Sequence, residues 1–161
     1  MLSEENVIKI LTTVIPTLLV ALIVPIYGIR FALRQFYTQK WWETKSSNYS
    51  IIVECLSNYR YATGELFEHY TTNEIYNREI ISRYEKLIKE SFEEIKKQIS
   101  VGAFVVSISA IDELAIFIRK VETNPDSISG NHVGSLDSNC GYAVNSIDTI
   151  KTIAKKDLKI K

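Results

Sequence analysis

The spacing of hydrophobic positions changes along the chain. From residue 10 to residue 29 they are nearly continuous, with no charged side chain between Lys9 and Arg30. A run of about twenty such residues is the length a helix needs to cross a hydrocarbon core of roughly 30 Å. From residue 47 the pattern becomes amphipathic. Tyr49, Ile52, Val53, Leu56, Tyr59, Leu66, Phe67 and Tyr70 recur mostly at three- and four-residue steps, which predicts a helix with one buried face. Ser46, Ser47 and Asn48 either interrupt the two patterns or lie within one continuous helix, and Gly64 weakens the helix end.

Thr71 and Thr72 suit the N-cap of a second helix, with Glu74 in its first turn. Ile75, Ile80, Ile81, Tyr84, Leu87, Ile88, Phe92, Ile95 and Ile99 form its apolar stripe, to about Ser100. Its other face is dense with charge, including Lys86, Glu90, Glu93, Glu94 and Lys97, and reads as a solvated or partner-binding surface. Residues 101–106 read as a short apolar connector. Ser107 or Ser109 then opens a third helix, with Ile111, Leu114, Ala115, Ile118 and Val121 facing inward. Residues 124–139, holding Pro125, Gly130 and Gly134 among Ser, Asp and Asn, predict a long loop. A last helix follows from about Asn139, burying Tyr142, Ala143, Ile147, Ile150, Ile153, Ala154 and Leu158. It ends in Lys151, Lys155, Lys156, Lys159 and Lys161, which suits a helix C-terminus or an anionic lipid surface.

These elements predict an all-α chain: one N-terminal transmembrane helix followed by a cytosolic helical bundle of about four helices. The divisions are a tail and span over residues 1–30, a juxtamembrane helix over 31–46, and the bundle over 47–161. A cleaved signal peptide fits the first segment poorly, since Glu4 and Glu5 precede the run and no small-x-small site follows it. A buried core helix fits poorly too, because no later segment is apolar enough to surround it.

Basic residues set the expected orientation. Arg30, Arg34, Lys40 and Lys45 follow the span, whereas Lys9 before it is offset by two glutamates. Lysine and arginine stay on the cytoplasmic side, so the N-terminus is expected outside and the bundle inside, at a bacterial plasma membrane. Arg30, Phe31, Arg34, Trp41 and Trp42 are the expected membrane-interface residues, with the two tryptophans facing either lipid or protein. Within the span, Lys9, Thr13, Thr17, Ala21 and Pro25 recur every fourth residue and share a small, weakly polar face. That face reads as an oligomer contact or pore lining, or as threonines returning their hydroxyls to their own backbone. Pro16 and Pro25 each remove an internal hydrogen bond and predict a kink.

The composition adds exclusions. Lys and Arg together number 19, as do Asp and Glu, so no basic excess favours nucleic acid as a partner. Cys55 and Cys140 are far apart and read as reduced, small core residues. His69 and His132 stand in no metal-binding spacing, and no phosphate loop or nucleophile elbow occurs. No catalytic, cofactor or metal site is therefore expected, and no cofactor. Arg60 with His69, and Arg119 with Asn124, are the nearest approaches to the ribonuclease motif of helical HEPN bundles. The first pair is spaced too widely, and the second has asparagine where the general acid/base would be.

Four features carry a resemblance: the short N-terminal tail, the single span, the stretch Gln39, Lys40, Trp41, Trp42, Glu43, Thr44, Lys45, and the ending Ala154, Lys155, Lys156, Asp157, Leu158. Together they resemble small single-pass bacterial membrane proteins associated with phage-defence systems. The layout is similar to the pore-forming membrane accessory of Cas13b-type CRISPR systems. The resemblance implies an antiviral membrane effector that contacts lipid and forms a homo-oligomer. Two other readings stand beside it: a membrane-anchored adaptor for a cytosolic protein partner, and a degenerate HEPN-like RNA-binding bundle.

Overall fold

The structure is a computed structural model describing residues 4–72, 77–102 and 104–160; within the first stretch, side chains are described at 12, 17, 18 and from 20 onward. The described residues are helical, with short connections and no strand. The helices are α1 (Glu4–Thr72), α2 (Arg78–Gly102), α3 (Ile108–Glu122), α4 (Pro125–Ile128) and α5 (His132–Asp157). The chain divides into two compact units, Met1–Trp42 and Glu43–Lys161, so α1 contributes residues to both.

Among the described residues of the first unit, α1 is the only element. It continues through Pro25, whose missing N–H does not end it. Its described side chains from Val20 to Trp42 are exposed along the whole length, Leu22, Ile26, Phe31 and Trp41 among them.

The second unit packs the last thirty residues of α1 with the remaining helices. Tyr49, Ile52, Leu56, Tyr59 and Leu66 are buried at three- and four-residue steps, apart from one longer interval that Ala62 and Thr63 fill. α3 packs against both α2 and α5, and α4 lies against α5. At the centre, the ring of Tyr59 meets Phe117 edge-on at 5.3 Å and Phe92 at 5.9 Å. Ile95, Leu114, Ala143 and Ile150 close around them with no exposed surface.

Several boundaries depart from the sequence reading. No break occurs at Ser46, Ser47 and Asn48, because Asn48 donates its amide to Thr44 O at 2.8 Å and Ser50 its hydroxyl to Ser46 O at 3.1 Å. Polar side chains satisfied by their own helix do not interrupt it. As expected, the helix runs on past Gly64, and Leu66 beyond it is a core residue. Thr71 and Thr72 lie in α1, and their hydroxyls return to Phe67 O and Glu68 O. Asn77 Oδ1 instead accepts the Glu79 N–H at 3.3 Å at the start of α2. Glu74 and Ile75 lie outside the described residues.

The core face of α3 is turned from the expected one. Ala110, Leu114 and Phe117 are fully buried, Ile111, Ile118 and Val121 are half-buried, and Ala115 is exposed. The loop expected over residues 124–139 is largely helix. Asn124 caps α4 by accepting the Asp126 N–H at 3.0 Å, and Asn131 caps α5 by accepting the Gly134 N–H at 3.1 Å. α5 therefore starts at His132 and not near Asn139. The Ser, Asp and Asn residues that suggested a loop are capping residues, with Pro125 in the first turn of α4.

Candidate functional site

Of the expected span face, Thr17, Ala21 and Pro25 lie on exposed helix, and the side chains of Lys9 and Thr13 lie outside the described residues. Among the described residues one helix is long and apolar enough to cross a membrane, and none of the qualifying window is buried in protein. The expected interface residues Arg30, Phe31, Arg34, Trp41 and Trp42 are all exposed, Phe31 at 72%. Phe31, Arg34, Gln35, Thr38 and Trp42 line one shallow face of α1. Thr38 donates its hydroxyl to Arg34 O at 2.8 Å, which keeps a polar group satisfied on an apolar helix.

In the second unit, polar chemistry concentrates where α1, α3 and α5 meet. Asp157 accepts from Lys45 Nζ and from the Tyr49 hydroxyl, each at 2.6 Å. The Tyr49 oxygen in turn accepts the Ser107 N–H at 3.2 Å and lies 3.0 Å from the Ser107 hydroxyl. Ser107 is the N-cap residue of α3, but its side chain caps nothing. Burial works to raise the Asp157 carboxyl, but the hydrogen bonds from Lys45 and Tyr49 outweigh it and hold it below its ordinary value. Burial, and then the bond to Asp157, push the Tyr49 phenol upward. The arrangement is a structural clasp, with its carboxylate neutralised by a lysine.

An apolar groove of about 460 Å³ opens beside this clasp, between α1 and α5. Tyr49, Val53, Ala154 and Leu158 line it, with Lys151 and Lys155 of α5 and Glu54 of α1 among its polar lining. α5 ends in a tight reversal. Lys159 takes a left-handed φ of 55°, Lys159 N bonds Lys156 O at 3.3 Å, and Ile160 N bonds Lys155 O at 2.9 Å. This is the two-bond closure that normally carries glycine at the left-handed position. It brings Ile160 back to the groove.

The remaining candidates are structural. Asn124 is 1% exposed, and its amide donates to Asn139 Oδ1 at 2.9 Å and to Ser135 O at 3.3 Å while its oxygen caps α4. The side chain is thus fully engaged in holding α4 to α5, and Arg119 is exposed. His69 and His132 flank Tyr70, with ring centroids at 5.0 and 5.2 Å, a pairing that their sequence separation did not suggest. No metal-binding group of His, Cys, Asp and Glu occurs among the described residues. Burial, then the charges of Glu94 and Glu54, raise the Cys55 thiol, which suits an inert packing residue.

No protein-family model matches the chain, no curated protein matches its sequence, and no solved structure matches its fold.

Proposed function

We propose that the protein is a single-pass membrane effector: its N-terminal helix spans a bacterial plasma membrane, its helical bundle lies in the cytoplasm, and copies gather through the span. The observation that carries the membrane reading is the exposure of an apolar helix. Val20, Leu22, Val24 and Ile29 are each more than half exposed, with no protein surface over them. Apolar patches larger than a few hundred Å² are rare on soluble monomers, and lipid is the natural cover for one this long. The basic and aromatic residues from Arg30 to Trp42 support the inward orientation of the bundle.

Gathering of copies is motivated by the small, hydroxylated face of the span, which allows close helix approach. Several spans brought together would form a pore or a weakened patch of bilayer, the antiviral role that the resemblance implies. The α2 surface offers the adaptor reading little support. Lys97 pairs with Glu94 at 3.1 Å, and Lys96 pairs with Glu122 of α3 at 3.0 Å, so part of its charge is engaged by the chain's own acids.

The test has two parts. Light scattering of the full chain in detergent should give a discrete multi-copy mass, and its expression should collapse membrane potential. A monomer that leaves the membrane intact contradicts the effector reading. Full activity after replacing residues 1–30 with an unrelated span supports an adaptor.

A further inference from the structure

The seam between α1 and α5 is open along one side of the bundle. The apolar groove beside the clasp, about 460 Å³, is its first part. A second cavity of about 220 Å³ follows, lined by Ser57, Arg60, Val144, Ile147, Asp148 and Lys151. Lys151 lines both cavities. Along α1 the lining residues run Ser46, Ser50, Val53, Ser57 and Arg60, steps of three and four that keep to one helix face. Along α5 they run in the opposite sense, from Leu158 and Ala154 through Lys151 to Ile147 and Val144. The two cavities are therefore consecutive stretches of one furrow.

The furrow changes character along its length. At the clasp end its lining is mostly apolar, and the reversal at Lys159 brings Ile160 to it. Lys155 and Glu54 in that stretch cancel in charge. At the other end stand the Arg60 guanidinium, the Lys151 ammonium and the Ser57 hydroxyl, with Asp148 as the one acid. Neither Arg60 nor Lys151 forms an ion pair among the described residues. Two cations against one carboxylate leave a positive charge at the end of an apolar channel.

That polarity matches a long-chain fatty acid. Guanidinium and ammonium groups take a carboxylate through charge-assisted hydrogen bonds, and arginine does so with two parallel bonds. From Ser46 to Ser57 the α1 wall extends about 16 Å, at a rise of about 1.5 Å per residue. An acyl chain reaches across half of a hydrocarbon core, about 15 Å. The volume of the apolar stretch also lies within the range of small-molecule sites, about 300–1,000 Å³.

We propose that the furrow between α1 and α5 binds a long-chain fatty acid, its carboxylate held by Arg60 and Lys151 and its chain lying along Val53, Ala154 and Leu158. All of these residues belong to the second unit, so the proposal stands apart from the reading of the span.

The test uses the full chain in phosphatidylcholine nanodiscs and palmitic acid carrying a photoactivatable diazirine near its methyl end. Illumination should cross-link the probe to peptides covering residues 46–54 and 151–160. Unlabelled palmitate should compete for these peptides, and methyl palmitate, which lacks the charge, should not. Arg60→Gln combined with Lys151→Gln should cut their labelling about tenfold or more. Both side chains are exposed, so the unfolding midpoint should stay unchanged. Competition by methyl palmitate as strong as by palmitate overturns the proposal, whatever the variant does. Labelling of the furrow that survives the double substitution overturns it too, as does labelling confined to the span. Furrow peptides cross-linked to a second chain, with probe labelling that falls as protein concentration rises, overturn it in favour of contact between copies. Probe dissolved in the bilayer should also label residues 20–29. Their absence from the labelled peptides would contradict the membrane reading and leave the furrow's result standing.

Discussion

The Tyr49 hydroxyl donates to the Asp157 carboxylate at 2.6 Å, across 108 residues of sequence. The bond fixes the end of α5 to α1, and through Ser107 it fixes the start of α3 as well. The clasp explains why the N-cap hydroxyl of α3 is turned away from its own helix.

Tyr49→Phe keeps the packing but removes a donor to a carboxylate and the acceptor for the Ser107 N–H. The expected cost is about 1–3 kcal/mol, read as a lower unfolding midpoint of the full chain in detergent.

Acid should weaken the same clasp. The folded Asp157 holds its carboxyl below the ordinary value, so the folded state binds that proton less readily than the unfolded state. Its stabilisation is present above the unfolded value, about 3.9, and is lost as pH falls through the lower folded value. Thermal unfolding of Asp157→Asn should therefore fall below that of the native chain at pH 6, with the gap closing toward pH 2. A gap that is unchanged across that range contradicts the assignment.

Asn124→Ala should destabilise the bundle by about 2 kcal/mol, through loss of the α4 cap and of a buried partner for Asn139. Asn124→Asp should retain the cap but lose the amide donor, and should fall between the two.

Gly134 has a spatial requirement. A Cβ there would collide with the Asn131 side chain that caps α5, and would lie 3.1 Å from Asp126 Cγ. Gly134→Ala should displace the cap and cost about 1–2 kcal/mol, with amide exchange quickening over the first turn of α5. The opposite sign is expected at Lys159, a non-glycine residue in the left-handed region. Lys159→Gly removes the steric penalty and should raise stability by about 0.5–1 kcal/mol, after the entropy that glycine adds to the unfolded chain.

The helical class and the α1 core face were legible because three- and four-residue spacing maps directly onto burial: Tyr49, Ile52, Leu56, Tyr59 and Leu66 were all foreseen and all lie in the core. The α3 face was misread because its stripe is wide. Isoleucines flank both sides, and the packing of Phe117 against Tyr59 and Phe92 selects it over Ala115. Residues 124–139 were misread because Asn, Ser, Asp and Gly favour loops and helix caps alike. What decided between them was Asn124 reaching Asn139 and Ser135, a contact that requires α5 to be in place already. The clasp was invisible for the same reason: nothing local links Tyr49, Ser107 and Asp157. The exposed Phe104 and Ile108 were read as connector and helix start because their exposure depends on what does not pack over them.

The most direct measurement is the accessibility of single cysteines in sealed membrane vesicles of known orientation, with Cys55 and Cys140 removed. The account predicts that Leu22→Cys is shielded from a membrane-impermeant maleimide on both sides until detergent is added, and that Ser129→Cys reacts only from the cytoplasmic face. Reaction of Leu22→Cys in intact vesicles, or release of the protein by alkaline carbonate, would contradict a spanning helix and the functional reading built on it.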